Sequence, residues 1–177
     1  MKIGILREYK SPEDIRVALT PEHCKQLLRQ YDDLQIVVEP YEKRCFKDSE
    51  YENAGVSPSN DLGDCDVLIG VKEVPKERLI QGKIYFFFSH TIKMQDYNLQ
   101  LMRTLLDKGI SMIDHETLAD ETGRIIGFGR WAGIVGAHYA ILMMGRQWNK
   151  YHIKPASQCA DMEAMLQQYD GLSFPKV

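Results

Sequence analysis

Arg16-Val17-Ala18-Leu19-Thr20-Pro21 sets a lone cation before an apolar triplet and then announces a helix. Thr20 is a good N-cap, because its hydroxyl accepts from an N–H that the first helical turn leaves unpaired. Pro21 suits the first helical position, where its missing N–H costs nothing. The helix predicted from there runs to about Gln30. Upstream, Lys2–Leu6 is a short apolar run that reads as a buried strand, and residues 7–16 form a polar loop. Strand, loop and helix make a first βα unit, and the next strand, Leu34–Glu39, is ended by Pro40.

The same alternation continues. Ser49-Glu50-Tyr51-Glu52 is a capping-box pattern opening a short helix that Gly55 terminates. Asp66–Val71 and Lys83–Phe88 read as strands. Tyr97, Leu101, Met102 and Leu105 follow helical spacing up to Gly109, and Ile110–Ile113 is a further strand. Arg124–Phe128 is a candidate sixth, shorter strand. Trp131 to about Trp148 reads as a long buried helix, with Gly133, Gly136, Ala137 and Ala140 smooth enough for close backbone packing. Ala156–Tyr169 reads as another helical stretch, closed by Gly171 ahead of Phe174-Pro175-Lys176-Val177. Strands alternating with helices imply parallel βα units. The strands lack clean apolar–polar alternation, as expected when both sheet faces are covered. The expected fold class is therefore α/β: a Rossmann-like (flavodoxin-like), mainly parallel sheet with helices on both faces.

At 177 residues the chain is one large domain, or one domain plus a tail. A net charge of -3, with no dense basic cluster, argues against nucleic acid or a membrane surface as partner. The most apolar segment, Trp131 to Gly145, is 15 residues long, short of the roughly 18–20 of a membrane span. MKIGILREYK has only a brief apolar run before its charges, so no signal peptide is read there. Cys24, Cys45, Cys65 and Cys159 show no CxxC-type spacing, which argues against a zinc site and for a reduced, cytoplasmic protein.

In open parallel sheets, ligands bind beyond the carboxyl ends of the strands. There this sequence places Arg7, Glu8 and the loop with Arg16, then Lys72-Glu73, then Ser89-His90 and Lys93, then Asp114-His115-Glu116, and finally Arg130. Strands are always bordered by polar loops, and that plain reading competes with a functional one. The chemistry is nonetheless coherent. A guanidinium such as Arg16 can hold a 2-oxo acid carboxylate in a bidentate fork. Carbonyl-to-amine conversion needs one proton delivered to oxygen and one taken from nitrogen, work suited to a Lys and a His titrating near neutrality. From sequence, Lys72 reads equally as a surface lysine, and His90 equally as a structural histidine. His115, His138 and His152 read as structural, and His23 as an exposed helix residue. A dinucleotide fold requires GxGxxG between a strand and a helix. Gly127-Phe128-Gly129-Arg130-Trp131-Ala132-Gly133 has GxG, but Ala132 stands at the third glycine.

Three ordered motifs then carry a resemblance. IRVALTP at 15–21, GVKEVP at 70–75 and FSHTIKMQ at 88–95 resemble the N-terminal substrate domain of the alanine dehydrogenase and pyridine nucleotide transhydrogenase superfamily. HTIK at 90–93, IDHETL at 113–118 and FGRWAGIVGA at 128–137 are more similar to its saccharopine dehydrogenase (lysine-forming) and lysine–ketoglutarate reductase branch, and argue against a transhydrogenase with a membrane partner. The resemblance implies that Arg16 binds the oxo-acid carboxylate and that Lys72 and His90 form the acid/base pair. It also implies that Lys93, Glu116, Arg124 and Arg130 contact the amino-acid substrate. It implies a substrate domain over residues 1–148, whose helix at about 131–148 connects to a second domain through a 149–177 linker. That second, dinucleotide-binding domain would hold NAD or NADP and is missing from this chain. The chain is thus expected to bind no cofactor tightly and to be catalytically silent alone. A stand-alone amino- or oxo-acid-binding or partner-docking domain is the alternative. Pyruvate with ammonia and 2-oxoglutarate with lysine suit the site equally. Loss of the second domain would expose the helix from Trp131 and the tail, which leaves a homo-oligomer open.

Overall fold

The computed structural model describes residues 1–172, so the end of the expected linker, Phe174 to Val177, lies outside the described residues. The chain divides into two compact units, Met1–Ile126 and a second that begins at Gly127.

The first unit is built on six strands: β1 (Lys2–Ile5), β2 (Gln35–Val38), β3 (Ser57–Pro58), β4 (Val67–Lys72), β5 (Ile84–Phe88) and β6 (Ser111–Asp114). Their spatial order is β3-β2-β1-β4-β5-β6, and all neighbours run parallel. The order reverses between β1 and β4. The chain leaves those two strand ends toward opposite faces and opens a crevice there. Helices α1 (Pro21–Gln30), α2 (Asp48–Asn53) and α3 (Asp96–Asp107) cover the sheet.

Each face has its own core. On one, Leu68, Tyr85 and Phe87 meet Leu101 and Leu105 of α3. On the other, Ile5, Ile36 and Val38 meet Cys24 of α1 and Tyr51 of α2. Side chains alternate faces along a strand, which is why Val37 packs with the first core and its two neighbours with the second. Burying a side chain such as Phe87 fully contributes about 1.5–3 kcal/mol. A buried guanidinium, Arg44, secures the chain between β2 and α2 by donating to the carbonyls of Glu39 and Phe46, both at 3.0 Å, and by pairing with Asp48.

The Thr20-Pro21 reading holds: Thr20 Oγ1 accepts from the His23 N–H at 3.2 Å, and α1 ends at Gln30. Other expectations change. The short second helix starts at Asp48, with Glu50 rather than Ser49 closing its N-terminus by accepting from the Lys47 N–H at 2.7 Å. The two-residue β3 has no apolar run to announce it, and its proline fits only because it is an edge strand. The candidate sixth strand at 124–128 does not join the sheet. Instead β7 (Ala119–Asp120) and β8 (Gly123–Arg124) form a separate antiparallel hairpin.

The second unit is led by α4 (Gly129–Trp148), whose described residues include exposed Trp131, Tyr139, Met143 and Trp148. The expectation of a buried helix is therefore wrong for most of its surface. The glycine that takes a close neighbour is not Gly133 or Gly136, which face open space, but Gly145, where a Cβ would clash with the Tyr151 ring and carbonyl. Leu142, Tyr151 and Ile153 make a small core. His138 is fully buried, donating from Nε2 to the Lys154 carbonyl at 2.7 Å and accepting at Nδ1 from the Tyr169 hydroxyl at 2.6 Å. The expected helix at 156–169 is broken. Asp161 caps a new start, so that only α5 (Met162–Leu166) is α-helical, between two 3-10 turns. No helix of the described residues is long and apolar enough to cross a membrane.

Both tryptophans lie in α4, so their fluorescence reports unfolding of this unit. Gly145→Ala is expected to lower its stability by about 1–3 kcal/mol through overpacking. Gly133→Ala, in open helix, is expected to raise it by about 0.5–1 kcal/mol. Denaturant titration followed by that fluorescence measures both, and equal effects would contradict the packing described.

Candidate active site at the strand ends

The switch point is shaped by an extra residue. Ile69 pairs with Phe86, but Lys72 pairs with Phe88, so three residues of β4 advance against two of β5. A bulge of this kind leaves backbone groups outside the ladder and re-aims side chains. Here the released groups are taken up. Buried Glu8, just past β1, accepts from the Val71 N–H at 2.7 Å and the Lys72 N–H at 2.8 Å. His115, just past β6, reaches across β5 to donate from Nε2 to the Gly70 carbonyl at 3.0 Å. Burial pushes the Glu8 carboxyl up, against the pull of its two N–H donors. Burial also lowers the pKa of His115, whose buried Nδ1 has no partner; the ring is a neutral brace.

Lys72 ends β4 with its Nζ 6.0 Å from the centroid of the Phe88 ring. His90 stacks on the same ring at 6.3 Å and an interplanar angle of 24°. The two residues thus flank one side chain. Lys72 is also within electrostatic reach of Asp14, which pairs with Arg16. Arg16 donates from Nε to Asp14 Oδ1 at 2.8 Å and pairs through Nη2 with Oδ2. This guanidinium holds the Asp14 carboxyl below its ordinary range, and the Lys72 ammonium adds to that. Arg16 therefore already grips one carboxylate, through one edge of its fork.

His90 has φ 57°, a left-handed conformation that costs a non-glycine residue about 1 kcal/mol or more and persists only when neighbours impose it. Asn98 of α3 supplies one constraint, donating to the His90 carbonyl at 2.9 Å. Glu116 supplies another, with Oε2 3.0 Å from His90 Nδ1. An ionised carboxylate only accepts, so Nδ1 carries the proton and Nε2 the lone pair. Lys93 Nζ, 3.2 Å from the same Nδ1, then has Glu116 Oε1 as its acceptor at 3.3 Å. Arg124 Nη1 approaches that oxygen at 3.9 Å. Hydrogen bonding to His90 first, then burial opposing and Lys93 assisting, leaves the Glu116 carboxyl below its usual range.

Three of the residues singled out from sequence, His90, Lys93 and Arg124, thus converge on the carboxylate of a fourth, Glu116, and Lys72 shares the Phe88 ring with His90. Arg130 belongs to the second unit, on the first turn of α4, its guanidinium 5.7 Å from the Trp131 ring centroid. Sequence reasoning placed Glu8, Ser89 and Asp114 past strand ends but gave them no role, and it missed Asp14. Their signal was position alone, a polar side chain directly past a strand or beside Arg16. A cleft of about 250 Å³ lined by Tyr9, Lys10, Glu73, Val74, Tyr97 and Leu101 adjoins the Lys72 strand end. A depression of about 430 Å³ against Thr20, Lys25, Phe46 and Asn53 holds none of these groups.

The described residues do not fit a dinucleotide. Gly127-Phe128-Gly129 enters α4 from an irregular segment, and the strand before it ends at Arg124. No strand therefore feeds that glycine pair. Among the described residues no group of three His, Cys, Asp or Glu is placed to hold a metal.

An open parallel sheet with polar groups gathered at its switch point is the construction of small-molecule enzyme domains. The chain belongs to the family of alanine dehydrogenase/PNT N-terminal domains, whose model matches residues 4–135. It is 37% identical to alpha-aminoadipic semialdehyde synthase of Arabidopsis thaliana over 76% of the chain and 13% of that protein. It is 31% identical to alanine dehydrogenase of Halomonas elongata over 70% of the chain and 34% of that protein. Among solved structures, an L-alanine dehydrogenase superposes with a TM-score of 0.64 at 18% identity, covering 86% of this chain and 44% of the other. The transhydrogenase from Sinorhizobium meliloti gives 0.61 at 19% identity, with 80% and 43% covered. The chain therefore spans less than half the length of each of these relatives.

The depressed Glu116 carboxyl fixes the sign of one pH effect. The unfolded chain takes up this proton at higher pH than the folded chain, so the stability it contributes is present above the ordinary carboxylate range and lost as pH falls through the folded value. Glu8, shifted upward, acts with the opposite sign. Glu116→Gln is expected to be less stable than the parent at neutral pH, and the gap should close on acidification. Melting curves across pH measure it, and a gap that widens in acid would contradict the hydrogen-bond assignment.

Proposed function

We propose that this chain is the substrate-binding half of an NAD(P)-dependent dehydrogenase acting on CH–NH groups, one that joins a 2-oxo acid to an amine. The observation that carries the reading is the pair formed by Lys72 and His90. Lys72 ends β4, His90 lies two residues past the end of the adjacent parallel β5, and both lie against the Phe88 ring. Membership in the alanine dehydrogenase/PNT family supports it, as do relatives named alanine dehydrogenase and saccharopine dehydrogenase [NAD(+), L-lysine-forming].

The nicotinamide cofactor belongs to a separate dinucleotide-binding domain, because the residues here do not fit it. What this chain contributes is binding and proton traffic. Arg16 takes the substrate carboxylate, next to the Lys72 ammonium. His90 Nε2, freed by the Nδ1–H bond to Glu116, takes a proton from the amine nitrogen. Lys72 Nζ delivers one to the carbonyl oxygen. Lys93 and Arg124 neutralise Glu116 and offer their remaining donors to an amino-acid substrate. That helix connects the substrate domain to its cofactor-binding counterpart, and its exposed apolar side chains favour association with another protein surface. Pyruvate with ammonia and 2-oxoglutarate with lysine both meet these requirements.

In the complete enzyme, Lys72→Met and His90→Asn are each expected to lower kcat by about 10²–10⁴-fold, the contribution of a positioned acid or base. Arg16→Lys is expected to act mainly on KM for the oxo acid, because a lysine lacks the guanidinium fork. Steady-state kinetics measure all three, and near-normal turnover of the Lys72 variant would remove it from the mechanism. The isolated chain is expected to show no turnover and no retention of NAD(H) in a binding assay.

A further inference from the structure

The residues around His90 close into a ring of hydrogen bonds that passes through a side chain with no role so far. Asp114, the last residue of β6, is buried. One carboxylate oxygen accepts from the hydroxyl of fully buried Ser89, next to His90 in the chain. The other accepts from the Glu116 N–H at 2.8 Å. Glu116 in turn accepts from His90 Nδ1 at 3.0 Å, which completes the circuit Asp114–Ser89–His90–Glu116. Ser89 Oγ is held again by Thr91, whose N–H donates to it at 3.1 Å and whose hydroxyl lies 2.8 Å away.

We propose that Asp114 is a positioning residue for proton transfer at His90, its buried carboxylate fixing both the backbone that carries the imidazole and the carboxylate that sets its tautomer. The proposal rests on the reading of His90 as an acid/base group and deepens it. The physical case is geometric. His90 sits in a backbone conformation that neighbours must impose, and Glu116 lies on a different strand end. Beyond the last strand pair, Phe87 and Asp114, Glu116 ties the two loops through the His90 ring alone. Asp114 does so from inside the protein, where loss of one partner leaves the other buried and unsatisfied. A histidine base misplaced by about 1 Å loses about 10²-fold in rate.

The direct readout is the tautomer of neutral His90, measured by 15N–1H correlation NMR on this chain. In the parent, the Nδ1–H form should dominate. In Asp114→Ala and Ser89→Ala, the population should shift toward Nε2–H. Asp114→Asn should retain the parent pattern, since its amide can accept from Glu116 and donate to Ser89. His138, held in its own hydrogen bonds in the second unit, is the internal control and should not move. Ser89→Ala, which removes only a hydroxyl, keeps the test open if Asp114→Ala fails to fold. An unchanged His90 tautomer in a folded Ser89→Ala or Asp114→Ala variant would overturn the proposal. In the complete enzyme, Asp114→Ala should lower kcat by about 10²-fold with KM for the oxo acid unchanged. A shifted tautomer with normal kcat would instead leave the positioning intact and overturn the acid/base role of His90.

Discussion

One extra residue in β4 decides what this domain presents at its ligand edge. Between Ile69 and Lys72 the strand gains a residue on β5, and Lys72 comes to lie opposite Phe88. Such a bulge would leave buried backbone groups unpaired, at a cost of about 1–3 kcal/mol each, unless something takes them up. Glu8 takes two N–H groups from the β1 side, and His115 takes a carbonyl from the β6 side. The bulge is therefore pinned from both flanks by side chains that emerge from other strands. The aim of Lys72 is consequently a property of the whole sheet edge, and local sequence around GVKEVP does not determine it.

The same construction recurs at the next two strands. Past β5, His90 adopts a left-handed conformation; Asp114 at the end of β6 and Glu116 just past it supply carboxylates that hold it. Parallel sheets place all such loops on one edge, so residues far apart in sequence, such as Glu8 and Lys72 or His90 and Glu116, become partners. Buried carboxylates accepting from backbone N–H groups brace the frame. Half-exposed cations, Arg16, Lys93 and Arg124, face outward from it. This division of labour suits the proposed role, in which the site receives an anionic substrate and keeps its proton carriers oriented.

Much of the frame was legible in the sequence because it depends on local rules. Thr20-Pro21 is a cap and a first-turn proline whatever surrounds it, and the apolar runs at 2–6, 34–39, 66–71, 83–88 and 110–113 have few other uses in a chain this size. The failures share a different cause. β3 is defined by its neighbour, not by its own two residues, and β8 pairs only with β7. The apolar, glycine-rich run at 131–148 says helix, but apolarity alone does not say what covers it, and most of its surface is exposed here. Lys72, His90, Arg16, Lys93, Glu116 and Arg124 were visible as polar residues past strand ends. Glu8, Ser89 and Asp114 share that position, yet their roles arise from tertiary hydrogen bonds that no spacing rule encodes.

The central claim is that Arg16, Lys72 and His90 form one receiving surface for a 2-oxo acid. Titrating the isotopically labelled chain with pyruvate and then with 2-oxoglutarate, and following side-chain resonances by NMR, tests it most directly. The account predicts that signals of Arg16, Lys72 and His90 move together along a single saturating curve, while those of His138 stay still. Saturable shifts confined to other residues, or none at this strand edge at concentrations that saturate binding elsewhere, would contradict it.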